Sequence, residues 1–342
     1  MKRPARHVRA LRLSEAGGWL SVASPAVWAH RLIAPGRLEA VEVDEPGEPA
    51  PGRVVARFEA GGICGSDLPS FLGTRDLIVG ASHGEPGYPM HELVGVVEAS
   101  AAEDLPVGTR VVGWAERHLG LAERFVARAD QVCAIGDELP PVHATVIQPL
   151  CTVLYAVRRL GDVSGARVAV IGQGSIGLLF SYALKAAGAA HVTGIDPIDR
   201  RDVGQAFGVD AMEWSTASVW AASLRDDERP GIVVEAVGHQ AGTLEDAVEA
   251  VAPGGTVLAF GVPDETHYAF PFARFFRKDL TLVAGVTRDR RRSLAAARDY
   301  LLEHRALLDA YVTDVVPVAE AQAAFELAAK PAAGRLKVVL QG

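Results

Sequence analysis

Apolar positions along this chain follow two rhythms, and the change falls near Pro141. Upstream, short runs alternate apolar and polar residues between Gly/Pro turns. Residues 27–33 (VWAHRLI) and 38–44 (LEAVEVD) flank Pro35-Gly36 and predict the two strands of a hairpin. After a Pro/Gly/Glu-rich loop, residues 53–60 (RVVARFEA) alternate as a half-buried strand does. The segment GGICGSD at 61–67 reads as a loop leading into a short turn. Further strands are expected at 93–98, 110–113, 123–126 and 131–135, which together suit a compact, mainly-β, partly barrel-like domain. Residues 1–26 fit this rhythm only at 12–13 and 19–22, around Gly17-Gly18, and are read as a surface appendage.

Downstream the rhythm lengthens. Residues 144–160 are helical, and from Arg167 to about residue 286 strands and helices alternate, the signature of a parallel sheet. The strands are expected at 168–171, 191–195, 232–237, 255–260 and 280–286, and helices at 176–187 and 244–251. A tail of helix (293–305), strand (312–318), helix (319–329) and strand (335–340) is expected to pack back onto the first domain.

Between the first two of these parallel strands lies Gly172-Gln173-Gly174-Ser175-Ile176-Gly177. Gly172 permits a tight turn off the strand, Gly174 lets a pyrophosphate approach the backbone, and Gly177 lets the helix lie close to the strand. The free amides at the helix start favour an anion. Asp196, closing the next strand, can accept hydrogen bonds from both ribose hydroxyls of an adenosine and repels a 2′-phosphate. In its strand–turn–helix–strand setting this pattern points to a dinucleotide, NAD before NADP. Arg200 and Arg201 could partly offset the acid, which keeps dual use open.

Composition narrows the partners. The chain has 342 residues, 49% hydrophobic, enough for two domains, and a formal net charge of −8, which argues against nucleic acid. No apolar run approaches the ~18 residues of a membrane span, and the basic N-terminus lacks the apolar core of a signal peptide. Cys64, Cys133 and Cys151 make no disulfide framework, so a reducing cytoplasm is expected.

Five anchors together resemble the medium-chain dehydrogenase/reductase family, of the zinc-dependent alcohol dehydrogenase type. They are Gly61-Gly62-Ile63-Cys64-Gly65-Ser66-Asp67, His91-Glu92, Gln148-Pro149-Leu150, the glycine turn with Asp196, and Gly334-Arg335-Leu336-Lys337. Their wording is closest to the polyol branch of sorbitol, threonine and glucose dehydrogenases. The resemblance implies a Rossmann doubly wound parallel sheet (148–286) inserted in a GroES-like, partly barrel-shaped catalytic domain (1–147 and 287–342). It also implies one catalytic zinc in the cleft. Cys64 and His91 fall on two ligand positions of the family, and Glu92 on a glutamate that binds directly in some members only. Gln148 stands where others carry Cys, Asp or Glu. Whether Glu92 or Gln148 completes the shell stays open, with Glu92 favoured. Such a zinc uses about three protein ligands and keeps one position open.

By the same resemblance Ser66 is the hydroxyl of a proton relay, Arg201 lies near the adenosine ribose, Thr152 near the nicotinamide, and Val262 and Val286 offer backbone contacts to its amide. The chain departs from the family in three places. Pro69 stands where a relay histidine often stands, so proton release goes through water or another group. Met90 replaces the glycine before His-Glu. Residues 114–125 are short and hold no cysteine, so no structural zinc is expected.

The remaining histidines, His83, His118, His143, His239 and His267, have no ligand spacing, though His83 and Tyr88 could touch substrate. Cys133 and Cys151 are expected to be packing residues. The expected activity is hydride exchange between NAD(H) and a polar secondary alcohol or ketone of a polyol, sugar or cyclitol, by a homodimer or homotetramer. The alternatives are a nucleotide-binding relative without catalysis and a zinc-free C=C reductase.

Overall fold

The computed structural model describes residues 11–13, 19–21, 26–74, 84–263 and 265–342. Two antiparallel pairs come first: β1 (Leu11–Leu13) with β2 (Trp19–Ser21), and β3 (Ala26–Ala34) with β4 (Arg37–Asp44). The β3–β4 turn is Pro35-Gly36, with Gly36 at φ 70°, where glycine carries no steric penalty. The rest of the upstream domain is β5 (Arg53–Gly62), α1 (Leu68–Leu72), β6 (Glu92–Ser100), β7 (Arg110–Trp114), β8 (Arg124–Arg128) and β9 (Val132–Ala134).

The downstream chain enters through α2 (Pro141–Ala144) and α3 (Ile147–Arg159). It then alternates β10 (Arg167–Ile171), α4 (Ser175–Ala186), β11 (His191–Asp196), α5 (Arg201–Gly204), β12 (Ala211–Trp214), α6 (Ala217–Ser223), β13 (Ile232–Glu235), α7 (Gly242–Ala250) and β14 (Thr256–Ala259). After α8 (Phe272–Arg277) and β15 (Thr281–Ala284) the tail runs α9 (Arg290–Glu303), α10 (Leu308–Tyr311), β16 (Val312–Pro317), α11 (Ala321–Ala328) and β17 (Lys337–Gln341).

The alternating half forms one parallel sheet in the order β12-β11-β10-β13-β14-β15. That is the doubly wound order, and the strand order reverses between β10 and β13, the switch point beyond whose carboxyl ends sheets of this kind bind ligands. The tail returns as the sequence implies: β17 pairs antiparallel with β5, inside the sheet β16-β17-β5-β6-β7-β9. A Rossmann sheet is thus inserted in a mainly-β, GroES-like domain.

Three differences from the sequence reading have physical causes. Gly61 and Gly62 are not a loop but the last two rungs of β5, because β6 and β17 both pair there, opposite Glu92 and Val339. β12 and α8 were not expected. β12 (AMEW) sits at a sheet edge, its first two residues half-buried and its last two exposed, so it needs no apolar run. Helix α8 has no buried residue and so leaves no amphipathic trace. Among the described residues no helix is long and apolar enough to cross a membrane.

Candidate active site

The end of β5, the start of β6 and β17 converge on one cluster, in which His91 and Glu92 are buried and Cys64 is half-buried. The ligand atoms of Cys64, His91 and Glu92 lie within 4.8 Å of one another. Asp67 orders the group. Its Oδ2 accepts the Cys64 amide at 3.0 Å, and its Oδ1 lies 2.7 Å from Nδ1 of His91. An ionised carboxylate only accepts, so Nδ1 carries a proton and Nε2 is the nitrogen left for a metal to take. Burial alone would raise the Asp67 carboxyl, but the imidazoles of His91 and His118 outweigh it and hold it well below the usual carboxylate range.

Glu92 is fully buried, and its Oε2 pairs with Nζ of Lys337, itself buried. That ammonium also donates to the Ile63 carbonyl at 3.0 Å. Glu92 Oε1 has no partner. Gly62 makes the pair possible, since a Cβ there would meet Glu92 Oε2 at 2.6 Å and Lys337 Cε at 2.7 Å. A thiol, an imidazole nitrogen and an orphaned carboxylate oxygen form a donor set suited to zinc, so the residues fit the metal. Ser66 donates its hydroxyl to Cys64 Sγ at 3.3 Å. Gln148 is buried in the first turn of α3. Pro69 opens α1, and Met90 is compensated by Gly61, whose absent Cβ would meet Met90 Sδ at 2.6 Å.

The glycine turn fits a dinucleotide. Gly172 has φ 87°, and a Cβ on Gly177 would lie 1.7 Å from the Gly172 carbonyl, so the helix rests directly on the turn. A Cβ on Gly174 would meet nothing within 4 Å, which leaves the approach of a phosphate open. Ser175 and Ile176 form the first turn of α4. Asp196 is buried, and its two oxygens accept the amides of Gln173 and Ile198, each at 2.7 Å. Each oxygen keeps a second lone pair for a ribose hydroxyl.

The two arginines are less available than the sequence suggests. Arg200 is buried and donates to the carbonyls of Ala332 and Arg335 at 2.7 and 2.9 Å. Arg201 is paired with Asp199. Thr152 donates its hydroxyl to the Pro149 carbonyl at 2.7 Å, the Val262 carbonyl accepts the His239 amide, and Val286 is exposed just beyond β15.

His118 needs correcting. Its sequence position suggested no site role, yet its ring lies 4.1 Å from that of His91 and its Nδ1 is 3.8 Å from Asp67 Oδ1. Burial and the neighbouring His91 push its pKa down to about 4. The connection carrying it turns through left-handed backbone at Arg117 and His118, with φ of 56° and 58°. No local spacing encodes this contact, because two separate strand ends bring the rings together. Tyr88 lies in the connection before His91. It is fully buried and its hydroxyl shares a 2.6 Å hydrogen bond with Ser70. His83 lies outside the described residues. Cys133 and Cys151 are buried packing residues, as expected, and burial raises both thiols, Cys133 to about 12.

Two family models match the chain: an alcohol dehydrogenase GroES-like domain over residues 50–140 and a zinc-binding dehydrogenase over 175–302. D-altritol 5-dehydrogenase of Agrobacterium fabrum is 30% identical over 270 residues, covering 68% of this chain and 76% of that protein. (R,R)-butanediol dehydrogenase of Bacillus subtilis is 32% identical over 255 residues, 64% of this chain and 73% of the relative. A zinc-binding dehydrogenase of Sinorhizobium meliloti, solved bound to NADP, superposes with a TM-score of 0.76 at 25% identity, covering 93% of this chain and 100% of that one.

Proposed function

This chain belongs to the medium-chain, zinc-dependent alcohol dehydrogenase family, in its polyol branch, and on that premise we propose that it moves a hydride between NAD(H) and a secondary alcohol or ketone of a polyol, sugar or cyclitol. The observation that carries the reading is the triplet Cys64, His91 and Glu92, its last two members buried, with one carboxylate oxygen of Glu92 lacking a partner. These three are the proposed zinc ligands, with Gln148 beside them. When bound, the zinc supplies Lewis-acid chemistry, easing loss of the alcohol proton or polarising the carbonyl.

The chain's own residues prepare that chemistry. Asp67 holds Nδ1 of His91 and leaves Nε2 for a metal to take. Lys337 holds one oxygen of Glu92 and leaves the other free. Ser66 spends its proton on the Cys64 sulfur and keeps its oxygen lone pairs for an incoming hydroxyl. Proline at position 69 relays no proton, so release from Ser66 goes through water. Asp196 supports NAD over NADP, because a buried acid already holding two amides would face a 2′-phosphate as a like charge. The same reading assigns the cytoplasm, consistent with three unpaired cysteines, and a homodimer or homotetramer, consistent with the exposed apolar residues around edge strand β15.

Two measurements test this. Metal analysis of the purified protein is expected to give about one zinc per chain, and Cys64→Ser to lose both zinc and turnover; a Cys64→Ser protein with full zinc and full activity would sink the metal role. NADH absorbance on a panel of polyols and sugars is expected to find turnover. Cofactor binding without turnover across a broad panel would favour a nucleotide-binding relative instead, the reading that Pro69, Met90 and Gln148 motivate.

A further inference from the structure

Beside the carboxylate of Asp196 stands a tryptophan that the hydride chemistry does not use. Trp214 ends β12 and is the register partner of Asp196 in the parallel ladder, so it sits at the same carboxyl edge of the sheet. Its indole Nε1 donates to the Pro197 carbonyl at 3.0 Å, which pins the ring across the turn after Asp196. The Arg201 guanidinium lies over the ring, 5.5 Å from its centroid. Asp199 holds that guanidinium in a fork: Oδ1 accepts the Arg201 amide at 3.1 Å and Nε at 2.9 Å, and Oδ2 accepts Nη2 at 2.5 Å. The indole nevertheless remains 62% exposed. A large aromatic held this rigidly in solvent has a prepared surface and little entropy left to lose on binding a flat partner.

We propose that Trp214, with Arg201 clamped against it by Asp199, is the shelf on which the adenine ring of the cofactor stacks, and that the clamp withholds Arg201 from a 2′-phosphate. The proposal rests on the dinucleotide reading above and adds to it the residues that bind and select the adenosine end. Charge supports the selection. Asp196 and Asp199 flank the expected ribose position, Arg200 is buried on the carbonyls of Ala332 and Arg335, and Arg201 is paired with Asp199, so both arginines after Asp196 are engaged elsewhere. Stacking on an aromatic face tolerates any nucleobase-like ring, so the gain comes from the adenosine half alone and is independent of the nicotinamide, the metal and the substrate.

Calorimetric binding of NADH, NADPH and ADP-ribose to the full-length protein separates the claims. In the wild type, NADH and ADP-ribose are expected to bind and NADPH to bind more weakly. Trp214→Ala should weaken both NADH and ADP-ribose about tenfold, while Trp214→Phe, which keeps an aromatic face, recovers most of the loss. Asp199→Asn frees Arg201 and removes a negative charge, and should shift the NADPH-to-NADH affinity ratio about tenfold toward NADPH. If the wild type binds none of the three nucleotides, the dinucleotide reading itself fails. If it binds ADP-ribose and Trp214→Ala binds it equally well, the shelf is overturned while the dinucleotide reading stands. A wild type that prefers NADPH, or an unchanged ratio in Asp199→Asn, overturns the clamp. Trp214 and Asp199 lie on the surface, and a circular-dichroism melt matching the wild type is expected for each variant.

Discussion

The candidate site contains a lysine that reaches across a glycine. Lys337 and Glu92 are both buried, with side-chain exposures of 2% and 1%, and they meet over Gly62. A buried pair adds little compared with an apolar replacement of both partners, but removing one partner strands the other charge out of water. Lys337→Met is therefore expected to lower stability by about 3–5 kcal/mol, read as a drop in the urea midpoint. The double variant Lys337→Met/Glu92→Gln should recover much of it, because the stranded charge is gone. If Lys337→Met alone unfolds at the wild-type midpoint, the pair carries no such energy. The motif Gly334-Arg335-Leu336-Lys337 was visible in the sequence as a family anchor, but its partner was not: 245 residues separate Lys337 from Glu92, and only the pairing of β17, β5 and β6 brings them together. The same holds for His118, which reaches Asp67 and His91 through strand ends and not through any local period.

Elements tell the opposite story wherever their signal is local. The turn from β10 into α4 was legible because glycine, apolar run and helical period all lie within one short stretch, and each constraint acts between near neighbours. β12 and α8 were illegible because an edge strand and an exposed helix have no buried face to mark. A third element, the connection after β13, shows how a loop at the switch point is held. Glu235 ends β13, is buried, and its Oε1 accepts the amides of Val237 and Gly238 at 2.9 and 3.0 Å and the Thr243 hydroxyl at 2.9 Å. It fixes the chain beside the glycine turn, since a Cβ on Gly172 would meet Val237 at 2.7 Å. Glu235→Ala leaves these donors without their acceptor and should cost about 2 kcal/mol, with a raised KM for the nicotinamide cofactor and little change in kcat. Glu235→Gln keeps an acceptor oxygen and should lose much less. Unaltered stability and cofactor KM in Glu235→Ala would show that the loop holds itself.

At the scale of the whole molecule, the two domains are tied by more than their covalent crossings. Arg200, four residues after Asp196, grips the tail at Ala332 and Arg335, and two residues further on the tail delivers Lys337 to Glu92. The opposite edge of the parallel sheet is unmatched. β15 ends the sheet, and Leu282, Val286, Phe272 and Phe276 are exposed around it at 41%, 75%, 65% and 74%. An edge strand with unpaired amides and apolar neighbours is a template for a second chain, and a two-fold axis along β15 would let each copy cover the other. The carboxyl end of β15 is also held from within, where Arg159 donates to the Ala284 carbonyl at 2.6 Å, directly before Gly285 and Val286. Placing a charge in the seam should therefore act on both assembly and cofactor. Leu282→Arg is expected to reduce the mass in light scattering from a multiple of 36.1 kDa to that of the single chain, and to weaken NADH binding several-fold through the loosened Gly285-Val286 segment. The Cys64, His91, Glu92 cluster lies in the other domain, so zinc content should stay at the wild-type level in the same variant. A wild type that already scatters as a single chain, or a Leu282→Arg protein that keeps its mass, would place the assembly surface elsewhere or remove it.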